Sequence, residues 1–181
     1  MSRTVFCRKI PKIPLIIACN TENGGNGACS NGTMIGAQTK IGATGDAKYA
    51  KALGKMANEE AAAIGCEHGL RAGVRHPLQL GEYRDRDPAF GNDPRPVAQM
   101  SKAYMDGLHT IPGFACTAKH FPGNGLDFRD AHLSNNVNTF SVEEWTRPTG
   151  WCIKRLLTAV WMPSWAGISC CRSTRGPSIP R

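Results

Sequence analysis

Lys119, His120, Asp130 and His132 stand within one stretch of this 181-residue chain, KHFPGNGLDFRDAH, which spans residues 119–132. The run places a cation, two imidazoles and a carboxylate on a glycine-rich loop directly after the apolar segment Gly113 to Ala118. A strand over that segment predicts Lys119 and His120 at its carboxyl end, the end at which α/β barrels keep their chemistry. Gly123 and Gly125 let the following loop turn back, so that Asp130 and His132 can return to the same pocket. A carboxylate bonded to one imidazole nitrogen fixes the tautomer and raises the basicity of the other, which makes an acid/base group for neutral pH.

The elements that would position these groups alternate along the chain. Pro14 to Cys19 is a short apolar run ending in Asn20-Thr21-Glu22-Asn23-Gly24-Gly25, which reads as a buried strand and its loop. Asp46 can cap a helix with Tyr49, Leu53, Met56, Ala57 and Ile64 at helical spacing and Gly65 at its end. Asp93-Pro94 opens a second helix, with Val97, Met100, Tyr104 and Leu108 on one stripe. Ser141 and Glu144 form a capping box that announces a third. Strands alternating with helices predict an α/β fold, a parallel sheet or barrel.

Charge is distributed unevenly. The net charge of +8 would ordinarily suggest a polyanionic partner, yet residues 1–13 carry +4 and residues 146–181 carry +6, while residues 14–145 sum to −2. Four of the eight cysteines (Cys7, Cys152, Cys170, Cys171) and three of the four tryptophans also lie in those ends. The arginines of the basic tail are scattered among Pro, Ser and Gly without a helix or stacking platform, so no nucleic-acid partner is expected. No long apolar run predicts a membrane partner. Cys152 with Cys170-Cys171 fits no structural zinc spacing, and neither a metal nor another cofactor is expected. Gly24-Gly25-Asn26-Gly27 lacks the Lys-Ser/Thr of a phosphate loop. Irregular cysteine spacing predicts a reduced, cytoplasmic setting.

The 119–132 run resembles the signature of glycoside hydrolase family 3, K-H-F-P-G-x-G followed by D-x-H, in the branch that acts on β-linked N-acetylhexosamines. IPLIIACNTENGG, IGATGDAKYAKALGKMANEEAAAIGC and FGNDPRPVAQMSKAYMDGLHTIPGFACTAKHF resemble the same family's barrel in the same order, so the likeness covers residues 14–66 and 89–145. The resemblance implies part of a (β/α)₈ TIM barrel, since a whole one takes about 250 residues. It also implies a retaining β-N-acetylhexosaminidase acting on a small amino-sugar glycoside, in which an aspartate attacks the anomeric carbon and a loop histidine serves as acid and base. Carried over by motif, His132 is that acid/base, Asp130 its orienting partner, and Lys119 and His120 bind sugar hydroxyls. Asn20 stands where the family often shows the first acid of an Asp-x-Glu pair. Glu22 fits either a sugar ligand or a residue that orders its loop. A phosphorylase or a β-glucosidase is the alternative within the family.

Two stretches depart from the family pattern. Residues 67–88 show neither strand nor helix periodicity where the family has a strand, and the helix announced at Ser141 runs into Thr146-Arg147-Pro148-Thr149-Gly150. A capping box leading into Pro and Gly is a local contradiction. Codons permitted for residues 67–87, read one nucleotide later, can spell a peptide containing the family-like DIHFNW. Those for 146–171, read one nucleotide earlier, can spell a helix and strand. The expectation is a truncated, frameshifted copy. The family's nucleophile lies beyond the resemblance, no Asp or Glu follows Glu144, and an inactive chain is therefore expected.

Overall fold

The computed structural model describes residues 15–75, 90–124, 135, 137 and 139–159. Three parallel strands, β1 (Ala18–Asn20), β2 (His68–Arg75) and β3 (Ala115–Asn124), form one sheet in the order β1-β2-β3. Parallel neighbours need a crossover, and helices supply each one. Between β1 and β2 run α1 (Gln38–Ala43) and α2 (Ala47–Ala63); between β2 and β3 runs α3 (Pro94–Leu108). Beyond β3 come α4 (Val142–Trp145), a wide π-helical turn (Thr146–Gly150) and α5 (Trp151–Ala159).

Capping chemistry fixes where the helices begin. Asp46 and Asp93 each accept a backbone N–H two residues on, from Lys48 and from Arg95, both at 2.9 Å, which satisfies a donor the helix leaves unpaired. Pro94 takes the first position of α3, where a missing N–H costs nothing. At α4 the capping box closes in both directions: Ser141 N–H donates to Glu144 Oε2 at 2.8 Å, and Glu144 N–H to Ser141 Oγ at 3.2 Å.

The core lies between the sheet and α2, α3 and α5. Leu53, Tyr104 and Leu108 are fully buried at its centre, Phe90 meets the Tyr104 ring at a tilt, and Cys152 and Leu156 dock α5 against α3. α2 and α3 approach unusually closely because glycines meet at the crossing. A Cβ on Gly54 would land on the Tyr104 carbonyl oxygen, and one on Gly107 would land on that of Lys51. Asn58 then donates from α2 to the Leu108 carbonyl.

Several expectations need correction. Of the stripe predicted on α2, Leu53 and Ala57 are buried, together with Ala50, Gly54, Asn58 and Ala61, whereas Tyr49 and Ile64 are exposed and Met56 is only partly buried. Beside Leu53 the face is made of small residues, and at Gly54 the close helix contact has no room for a side chain. Part of the stretch read as lacking periodicity, 68–75, is the central strand: Ala18, His68 and Ala115 align across the sheet, as do Asn20, Leu70 and Thr117. Backbone pairing on both sides overrides a weak side-chain pattern there. The third helix ends at Trp145 with Thr146 as its C-cap, as the sequence indicates, but the chain does not leave helical geometry there. The chain passes Pro148 as a π turn, and helix resumes at Trp151. Finally, β3 begins at Ala115 rather than Gly113, where a positive φ of 83° makes a turn, and it runs on to Asn124.

Replacing Gly54 by Val forces methyl groups into the Tyr104 carbonyl and is expected to cost about 1–3 kcal/mol of stability, while Lys51→Ala on the exposed face shifts it by less than about 0.5 kcal/mol. Urea denaturation followed by circular dichroism checks this. An unchanged midpoint for Gly54→Val would show that the crossing is loose.

Candidate active site

Side chains alternate across the sheet, so its rows sort into two faces. Cys19, Gly69 and Cys116 share one row and face the helices, with Gly69 leaving space that Leu108, Phe114 and Thr21 fill. The rows of Ala18, His68 and Ala115 and of Asn20 and Thr117 face the other way. On that second face His68 Nε2 lies 2.6 Å from Thr117 Oγ1, a polar pair joining β2 to β3. Burial holds the His68 imidazole below its usual 6.5, favouring the neutral ring.

The carboxyl ends of β1 and β3 flank β2. Asn20 is the last residue of β1 and is exposed; Glu22 follows two residues later, partly buried. Thr21 between them is fully buried, and its place is fixed by Tyr104 of α3. The Tyr104 hydroxyl donates to the Thr21 carbonyl at 2.6 Å, and the two hydroxyls hydrogen-bond each other at 2.8 Å. Burial pushes the Tyr104 phenol well above its usual range, so it stays a neutral donor. The α3 helix thereby holds the end of β1 from below.

Lys119 and His120 lie inside β3, not beyond its end, because the strand extends four residues past them; the Lys119 backbone aligns with Gly73 of β2. Lys119 is two residues further along than Thr117, which shares a row with Asn20. With neighbouring strands about 4.8 Å apart, the β1 and β3 backbones stand about 10 Å from each other across β2. The fold therefore brings Asn20, Glu22, Lys119 and His120 to one end of one sheet. Asp130 and His132 lie outside the described residues.

Two features of the site are not evident in the residue types. The loop after β1 folds on itself through a Gly25–Gly27 3₁₀ turn and a bridge between Gly24 and Met34. Glu60 of α2 reaches that loop and accepts the Thr33 N–H at 2.7 Å. The site's cysteines, by contrast, carry no nucleophilic chemistry. Burial pushes the Cys19 thiol to about 12, with Cys66 adding to the shift, and burial pushes Cys116 to about 12 as well, so neither supplies a thiolate at neutral pH. Cys152, weighed above as a metal ligand, is a core residue with its thiol also at about 12. Among the described residues no three His, Cys, Asp or Glu side chains group as a metal site, and no helix is long and apolar enough to cross a membrane.

A profile of the Glycosyl hydrolase family 3 N terminal domain matches residues 1–150. The chain belongs to glycoside hydrolase family 3. A relative from Cellulomonas fimi, named beta-N-acetylglucosaminidase/beta-glucosidase, is 35% identical over 133 residues, which is 74% of this chain and 23% of that protein. A beta-hexosaminidase of Tolumonas auensis is 41% identical over 67 residues, 37% of this chain and 20% of its own length. Among solved structures, the beta-glucoside phosphorylase BglX superposes with a TM-score of 0.75 at 33% identity over 86% of this chain and 28% of its own. NagZ from Neisseria gonorrhoeae superposes with a TM-score of 0.74 at 22% identity, covering 84% of this chain and 46% of its own, a likeness of fold. The chain thus spans about a quarter of the length of the first of these relatives.

Neutral His68 carries a pH signature. Its folded pKa lies below the unfolded 6.5, so the unfolded state binds more protons as pH falls through 6.5 toward the folded value. Stability is expected to be greatest above 6.5 and to decline through that window. His109, lowered mainly by burial against the opposing pull of Asp106, contributes in the same direction. Urea midpoints measured between pH 7 and pH 5 should fall less in His68→Gln, where only the His109 part of the decline remains. Identical declines in the two proteins would contradict the assignment.

Proposed function

We propose that this chain is part of a retaining β-N-acetylhexosaminidase that releases terminal N-acetylglucosamine from small amino-sugar glycosides. The observation that carries the reading is Asp130-x-His132 placed after Lys119-His120-Phe121-Pro122-Gly123 in a family 3 chain. The names borne by the Cellulomonas and Tolumonas relatives support the same substrate class. In this reading the three parallel strands are part of a (β/α)₈ barrel. Their helix side is its exterior, and the face bearing Asn20, His68 and Thr117 is its interior.

The reaction proceeds in two displacements. A carboxylate from a part of the enzyme beyond this resemblance attacks the anomeric carbon as the glycosidic bond breaks, and His132, oriented by Asp130, gives its proton to the departing oxygen. His132 then takes a proton from water, which attacks the same carbon and frees the carboxylate. Lys119 and His120 within β3, and Asn20 and Glu22 at the end of β1, hold sugar hydroxyls. No Asp or Glu follows Glu144 in the 181 residues, so the chain by itself offers no nucleophile at the family's position. The segments 67–88 and 146–181 are proposed to be read out of frame relative to an intact parent.

A second reading, a phosphorylase, is favoured by the 33% identity to the beta-glucoside phosphorylase. An imidazole acid/base does not repel an incoming phosphate as a carboxylate would, so phosphate can replace water in the second displacement.

Purified residues 1–181 are expected to release no phenol from an aryl β-N-acetylglucosaminide. A full-length version with the frame restored is expected to turn it over, with His132→Ala lowering kcat about 10²–10⁴-fold. Turnover by the 181-residue chain that His132→Ala abolishes would overturn the inactive reading. Dependence of turnover on phosphate selects the phosphorylase.

A further inference from the structure

Between β1 and α1 the chain spends residues 21–37 on a loop in which several glycines make close packing contacts. Ala28 and Cys29 N–H both return to the Gly25 carbonyl at 2.9 and 3.0 Å, Gly32 N–H to Cys29 at 2.8 Å, and Ile35 N–H to Asn23 at 3.1 Å. Each glycine is pressed against a particular neighbour. A Cβ on Gly32 would strike the Gly25 backbone, one on Gly27 the Asn20 carbonyl, and one on Gly25 the Glu60 carboxylate. These contacts form a continuous stack from Glu60 through Gly25 and the 3₁₀ turn to Asn20.

Glu60 sits near the end of α2, twenty-seven residues from Thr33, whose N–H it accepts at 2.7 Å. That bond, at the surface, ties the loop to α2 across a long stretch of chain. The helix that bears it is fixed by the α2–α3 crossing, so the carboxylate is a fixed point and the loop is what it holds.

We infer that Glu60 is a positioning residue for sugar binding: by holding Thr33 and seating Gly25, it sets where Asn20 and Glu22 stand at the end of β1. This inference rests on the sugar-binding reading of Asn20 and Glu22 given above, and it adds the residue through which α2 controls them. A purely structural staple would make the loop more ordered without affecting a ligand, and the two roles separate experimentally.

The test uses ¹⁵N-labelled residues 1–181, N-acetylglucosamine as the probe, and amide hydrogen exchange alongside the titration. Glu60→Ala removes the acceptor, Glu60→Gln keeps an oxygen that can accept the Thr33 N–H, and Gly25→Ala disturbs the same contact from the loop side without altering α2. Glu60→Ala and Gly25→Ala should each speed exchange at Thr33 and Ile35 about tenfold and weaken the sugar-induced shifts at Asn20 and Glu22 by a similar factor. Exchange at Leu53 and Tyr104 should stay within about twofold, and Glu60→Gln should lie near the unsubstituted protein. Unchanged sugar affinity with faster Thr33 exchange would leave only a staple and overturn the inference, as would parallel acceleration at Leu53 and Tyr104. If the unsubstituted chain shows no sugar-induced shift at Asn20 or Glu22, the sugar-binding reading itself fails, whatever the exchange rates say.

Discussion

The closeness of α2 to α3 is the constraint on which the rest of the structure depends. Gly54 and Gly107 let the two backbones touch; Asn58 donates to the Leu108 carbonyl beside that crossing, and from the same stretch of α3 Tyr104 reaches Thr21. Each contact then has a consequence at the end of β1. Tyr104 fixes Thr21 from the α3 side, and Glu60 holds the following loop from the α2 side. Asn20 and Glu22 bracket the residue so fixed, and the glycine loop packs on Asn20. Helices packed on one face of the sheet thereby determine the geometry at the strand ends, a division of labour typical of α/β folds.

Much of this was legible in the sequence where a single side chain decides a local outcome. Asp46, Asp93-Pro94 and the Ser141–Glu144 box each satisfy helix donors within three residues, and all three helices begin where those residues stand. The stripe Val97, Met100, Tyr104 and Leu108 is buried as its spacing indicates. The corresponding stripe on α2 is only half right: Leu53 and Ala57 are buried, but the rest of the core face is made of Ala50, Gly54, Asn58 and Ala61, which large apolar spacing does not reveal. Tyr49 and Ile64 end up exposed.

The strands were less legible because parallel pairing depends on distant partners. Nothing in HGLRAGVR alternates, yet it lies between β1 and β3 and makes bonds to both, with irregular register near Gly73 and Arg75. The same neighbour carries β3 past Lys119 and His120. The glycine loop reads as a turn in sequence, which it is, but its anchor at Glu60 is remote along the chain and so leaves no local pattern. Composition and motif, on the other hand, reach the family directly: the N-terminal domain profile spans residues 1–150. The chemistry assigned to Asp130 and His132 continues to rest on the motif, with the fold supplying the neighbourhood of Asn20, Glu22, Lys119 and His120.

The central claim is that one loop imidazole delivers the proton to a departing sugar oxygen. The most direct measurement is the dependence of kcat/KM on the pKa of the leaving phenol, for a series of aryl β-N-acetylglucosaminides, in the frame-restored enzyme and in its His132→Gly form. Loss of the proton donor should leave the most acidic phenols nearly unaffected and slow the least acidic ones severely, giving a much steeper slope in the variant. Parallel slopes, with every substrate slowed alike, would mean that His132 is not the acid.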